Sequence, residues 1–178
     1  MTIVQSDLTY PATATACALA GSIFDVKSRR IPNFVTFPAF LIGLSLHLVL
    51  GGWRDLLSSL AAGVICGLVF LVFYLAGGMG AGDVKLMMAV GSIAGLPHVA
   101  YLLTLTAICG GVMAVLLALA RGRLQQTMMN VGELASHHTH RGLQPHPDLN
   151  LTNAHTLRLP YALAIAGGSI LTFYLQVQ

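Results

Sequence analysis

Charge is what this sequence lacks most. Its 178 residues include nine Lys or Arg and six Asp or Glu, 8% of the chain, whereas a soluble domain carries about 25%. So few charges cannot cover a water-facing surface, which argues against a soluble globular protein and for an integral membrane protein. Cysteine is scarce too. Cys17, Cys66 and Cys109 each lie inside an apolar run and form no C-x-x-C pair, so no zinc site is suggested and small packing residues are expected. No basic stripe for nucleic acid is present. No basic segment precedes the first apolar run, because the first Lys or Arg is Lys27. That run is therefore expected to be a retained span rather than a cleaved signal peptide. No internal repeat is evident.

What the sequence has in quantity is charge-free length. Residues 8–24, 31–53, 56–82, 86–120 and 159–178 contain no Asp, Glu, Lys or Arg. A helix needs roughly 20 apolar residues to cross a hydrocarbon core about 30 Å thick. The longest run is interrupted at Leu96-Pro97-His98, where proline cannot continue a helix interior, and divides into about 84–96 and 98–120. The expected fold is thus an all-α polytopic membrane protein with six transmembrane helices. Basic residues orient it. Lys27, Arg29, Arg30, Lys85, Arg121, Arg123, Arg141 and Arg158 all fall in odd-numbered loops, and Arg54 alone falls opposite. The positive-inside rule then puts those loops in the cytoplasm and both termini outside.

Residues 1–178 read as one membrane-embedded domain, with a polar cytoplasmic loop at 121–158. This loop is rich in histidine. His137, His138, His140, His146 and His155, with Glu133 or Asp148, are metal-capable types, but their spacing fits no familiar site. A solvated or lipid-facing loop is the expectation, with no metal and no cofactor. Asn150-Leu151-Thr152 is a glycosylation sequon that the assigned cytoplasmic side would leave unused. His47, inside the second span, reads as a hydrogen-bonded helix residue, and Asp55 as a cap of the third helix.

Two acids remain. Asp25 ends the first span in GSIFDVKSRRIPN, and Asp83 begins the fourth in GGMGAGDVKLM. The topology brings both to the cytoplasmic edge. Asp83 at a helix start has a structural reading as an N-cap. Asp25, at a helix end, faces an unfavourable dipole and has pairing with Lys27, Arg29 or Arg30 as its structural reading. Ionisable groups at membrane depth are functional candidates. The fourth segment is short at about 20 Å, so Asp83 is expected in a recess below the surface plane. The glycines before it permit positive φ and close approach of another chain, and bare backbone there offers partners to an extended peptide.

These residues match a family. Gly80-Ala81-Gly82-Asp83 is a GxGD motif, and GGMGAGDVKLMMAVG resembles the type IV prepilin peptidases. Asp25 with Arg30-Ile31-Pro32-Asn33 resembles their first aspartate motif, and Leu159-Pro160-Tyr161-Ala162 followed by AIAGG resembles their last-helix motif. The resemblance implies a bacterial inner-membrane aspartyl protease with Asp25 and Asp83 as the catalytic pair. Gly80, Gly82 and Lys85 would support substrate or tune Asp83. It implies a pilin-like precursor as substrate, cut on the cytoplasmic side after a short basic leader. Membrane lipid and pilus assembly machinery would be its other partners. Two nearby carboxyls sharing a proton activate water and polarise a carbonyl without metal or cofactor. Larger members also methylate the new pilin terminus through a cysteine-containing insertion. Only Asp25–Asn33 joins the first two spans here, so no methyltransferase activity is expected. The compact form resembles the peptidases of tight-adherence (Flp) pilus systems. The alternatives are a proton- or cation-coupled transporter, which suits paired acids and a broken helix, and a non-catalytic subunit of a pilus or secretion assembly.

Overall fold

The computed structural model describes residues 3–142, 144 and 159–177 and is helical almost throughout them. The order is α1 (Ile3–Ser28), α2 (Asn33–Leu75), α3 (Ala81–Ala94), a 3₁₀ turn (Leu96–His98), α4 (Val99–Ala120), α5 (Leu124–Arg141) and α6 (Tyr161–Val177). α2 and the stretch Leu96–Ala120 are long and apolar enough to cross a membrane.

α2 is two helices joined at Gly52. The backbone there takes φ 76° and ψ −163°, a region essentially reserved for glycine. A continuous helix would separate Gly43 from Ser59 by about 24 Å. Yet both meet Ser92: Ser59 Oγ donates to the Ser92 carbonyl at 2.7 Å, and a Cβ on Gly43 would lie 2.7 Å from Ser92 Oγ. The arms 33–51 and 53–75 therefore fold back on each other, with Asp55 returning against Gly51 at the bend. Counting these arms separately, α1, α3, α4 and α6 complete six apolar helical segments, which fit the six expected spans. The expected break at Leu96-Pro97-His98 is present as the 3₁₀ turn, entered through Gly95 at φ 81°.

α3 is the hub. It packs against both arms of α2, against α1 and against α6. Leu86, Met87, Ala89 and Val90 are completely buried, and a helix apolar on every side belongs inside a bundle. Glycines let the neighbours come close. A Cβ on Gly91 would sit 2.6 Å from Cys66 Sγ, and one on Gly63 would sit 3.0 Å from both the Met88 carbonyl and the Phe40 ring. Small residues at such contacts permit tight helix packing where lipid offers no hydrophobic drive. α6 fills the space between α1 and α4.

The stretch 121–158 is not all loop. α5 occupies Leu124–Arg141, between Gly122 at φ 62° and Gly142 at φ 66°. Leu124, Met128 and Val131 recur at helical spacing and give it an apolar stripe, a signal that the polar composition hides. His137, His138 and His140 lie on α5, where His137 Nε2 is 3.1 Å from the Gln144 carbonyl oxygen. His146, Asp148, the Asn150 sequon, His155 and Arg158 lie outside the described residues.

Two glycine substitutions separate contact from flexibility. Gly91→Val forces Cys66 and α2 apart and is expected to destabilise by about 1–3 kcal/mol. Gly111→Ala, where a Cβ meets nothing within 4 Å, is expected to be neutral or stabilising by up to about 1 kcal/mol. Thermal unfolding in detergent measures both.

Candidate active site

Both ends of α3 leave backbone groups with no partner inside the helix. At the C-terminal end, side chains of α2 supply the partners. Ser59 donates to the Ser92 carbonyl. His47 Nε2 lies 3.0 Å from the Ile93 carbonyl oxygen, which makes that nitrogen the donor. The His47 ring also stacks on Tyr10, with centroids 4.1 Å apart. At the N-terminal end the partner is Asp83. It is not the N-cap but the third residue of the helix, and its Oδ2 accepts the Gly80 N–H at 3.2 Å. Gly80, the N-cap, has no side chain to return the bond, so this is half of a capping box. Asp83 is only 8% exposed.

Asp25 sits one turn from the end of α1 and meets a second helix start. α6 begins at Tyr161 after Pro160 and Leu159, and the backbone N–H of Ala162 donates to the Asp25 carboxylate. Ser22, one turn earlier on α1, fixes that approach. Its buried hydroxyl proton is shared between the carbonyls of Ala18, at 2.8 Å, and Ala162, at 2.7 Å. The anion that opposes the dipole of its own helix thus faces the positive end of another, which favours it.

Each acid therefore spends one oxygen on a helix start. Asp25 Oδ2 and Asp83 Oδ1 are buried and have no hydrogen-bond partner. Both acids line one cavity of about 320 Å³, with Arg29, Arg30, Ile31, Gly80, Ala81 and Gly82. They are close enough for the charge of Asp25 to act on Asp83. Buried polar atoms are nearly always partnered, so two orphaned carboxylate oxygens in one notch mark a site prepared for something else.

The turn after α1 forms the lid of this notch. Arg29 N–H closes the helix on the Asp25 carbonyl at 2.8 Å. Ser28 Oγ lies 2.8 Å from the Phe24 carbonyl oxygen and 3.0 Å from that of Arg30. Arg29 itself has φ 52°, the positive value at a non-glycine residue among the described residues. Left-handed backbone costs a side-chain-bearing residue about 1–2 kcal/mol. The turn delivers Ile31 onto Gly82, where a Cβ would lie 3.2 Å from the Ile31 Cβ. Edge-on contact of Phe24 with Phe34, centroids 5.5 Å apart, ties the same corner to α2.

Of the residues singled out in the sequence, Asp25, Asp83, Gly80 and Gly82 come together. Lys85 does not join them. Its Nζ donates to Asn33 Oδ1 at 3.0 Å, and it lines a separate groove with Phe34, Phe37 and Met88. Sequence reasoning named Arg29 only as a pairing candidate for Asp25 and Ile31 only within the first aspartate motif, and it did not single out Ser22 or the Ala162 N–H. The last-helix motif pointed to Ala162, but a backbone donor has no residue type to betray it. Tyr161 is a further neighbour, lying within the field of Asp83. No group of three His, Cys, Asp or Glu suited to a metal occurs among the described residues.

The sequence profile of the type IV leader peptidase family matches residues 12–115, from α1 into α4. The chain belongs to that family. A stretch of 80 residues is 35% identical to the preflagellin peptidase of Methanococcus voltae, covering 42% of this chain. The match spans 34% of that relative's own length. No solved structure matches the chain. The family profile covers both aspartates, whereas the α6 contacts that hold Asp25 fall beyond it.

Ser22→Ala tests the anchoring of α6. It removes the hydroxyl from the Ala162 carbonyl and is expected to cost about 1 kcal/mol. Amide exchange at Ala162 should quicken more than at the core amides of α3, as read by hydrogen–deuterium exchange.

Proposed function

We propose that this leader peptidase family member is a membrane aspartyl endopeptidase that removes a short basic leader from pilin-like precursors. Asp25 and Asp83 are its catalytic pair in this reading. The observation that carries it is the pair of unpartnered carboxylate oxygens facing one cavity. Two carboxyls so placed share one proton more readily than both ionise. The ionised member takes a proton from water as the water oxygen bonds to the scissile carbonyl carbon. The protonated member donates to the carbonyl oxygen. Collapse of the tetrahedral diol breaks the C–N bond, the proton taken from water passes to the departing amine, and one hydroxyl proton of the diol returns to the member that donated, leaving a carboxylic acid that then ionises. The pair ends in its starting protonation state and acts as a unit. The oxygens held by Gly80 and Ala162 keep both carboxyls aimed during this cycle, which is the preorganisation such a site needs.

Six crossings with both termini outside bring the cavity to the cytoplasmic face of a bacterial inner membrane, where a basic leader would remain. The short connection from Asp25 to Asn33 and the resemblance to compact tight-adherence peptidases favour a Flp-type precursor as substrate. The glycines at Gly80 and Gly82 leave backbone accessible at the rim, and an extended peptide can pair with it. A transporter would be better served by acids near the midplane and by repeated halves. Both acids here stand at helix ends beside a turn with two arginines.

Asp25→Asn and Asp83→Asn are each expected to abolish leader removal while the protein still inserts, read as a gel shift of a co-expressed pilin precursor. Normal processing by either variant sinks the aspartyl assignment. Chelation with EDTA should leave the rate of the purified enzyme unchanged. Inhibition that added zinc reverses would instead turn attention to the histidines after α4.

A further inference from the structure

We propose that Arg29 is a subsite for the carboxylate that hydrolysis creates at the end of the leader. Cleavage converts a neutral amide into an anion in a cavity of about 320 Å³ already lined by two carboxyl groups. Without a cation that product would be repelled by the pair that made it. Arg29 and Arg30 are the basic residues lining the cavity. The backbone distinguishes them. Arg29 holds a left-handed φ of 52°, where glycine would be free of strain. Strain of this kind persists only where the surrounding structure enforces it, and it gathers at active sites and ligand clamps.

The guanidinium is also available. It lies near enough for its charge to act on Asp25, yet neither free carboxylate oxygen is hydrogen-bonded to it. Its planar fork matches a carboxylate with two parallel bonds.

The proposal rests on the peptidase reading, and one experiment separates the two. The leader peptide of the precursor cut in the co-expression assay is synthesised as the free acid and as the C-terminal amide. Each is tested as an inhibitor of the purified enzyme. The acid is expected to inhibit wild type about tenfold more tightly than the amide, the size of one charge-assisted contact. In Arg29→Gly that preference should fall to about one. The melting temperature of this variant should stay at or above wild type, because glycine relaxes the turn. Arg29→Lys, which keeps the charge and loses the fork, should fall between. Equal inhibition by acid and amide in wild type, or no inhibition by either, overturns the subsite. So does a preference that survives in Arg29→Gly or that is lost in Arg30→Gln alone. A precursor that wild type leaves uncut defeats the peptidase reading and this subsite together.

Discussion

A short helix at the centre of a bundle must find partners for the backbone groups at both ends, and α3 is built around that constraint. Its fourteen residues extend about 21 Å, too little to reach water on both sides of a bilayer. Its last carbonyls are met by Ser59 and His47 from the two arms of α2. At its start the N–H of the N-cap Gly80 is met by its own Asp83. An unmet pair at either end would cost several kcal/mol in hydrocarbon, so the surrounding helices are arranged to prevent it. The hairpin at Gly52 places both arms of α2 against the C-terminal end. The turn at Arg29 brings Ile31 to the N-terminal end.

The same constraint explains how carboxylates are tolerated there. A buried carboxylate without partners would be expelled or neutralised. Asp83 and Asp25 are retained because each satisfies a helix start, α3 in one case and α6 in the other. Structure occupies one oxygen of each acid and leaves the second free. In the proposed peptidase, rigidity and reactivity would thus come from one side chain. Lys85 carries no share of this, since Asn33 holds it on the far side of the α3 start.

Much of this was legible in the sequence. The charge-free runs located the helices. Leu96-Pro97-His98 gave the break before α4, because proline and glycine act on the backbone wherever they occur. Asp25 and Asp83 stood out because charge is so rare here. Other features were hidden for physical reasons. Asp83 lies three residues inside α3 rather than at its cap, because Gly80 can open a helix without a side chain. α5 was masked by polar residues around its narrow apolar stripe. The Ala162 donor is a backbone group, and the left-handed turn at Arg29 goes with the local hydrogen bonds of Ser28 and the packing of Ile31 on Gly82, which a sequence pattern does not announce.

The acids come from the end of α1 and the start of α3, and that origin matters for a peptide substrate. Two carboxyls on one helix, a turn apart, would face the same way at a fixed spacing. A chain could lie beside such a pair but not between its members. Acids on separate helix ends leave a gap whose width is set by packing, here by Ile31 on Gly82 and by Ser22 on the start of α6. A scissile bond needs one carboxyl on the side of the attacking water and one by the carbonyl oxygen. Convergent helix ends would provide that opposition in the proposed peptidase. They also leave the turn Arg29–Ile31 and the stretch Gly80–Gly82 as the cavity walls between which the proposed extended substrate would pass.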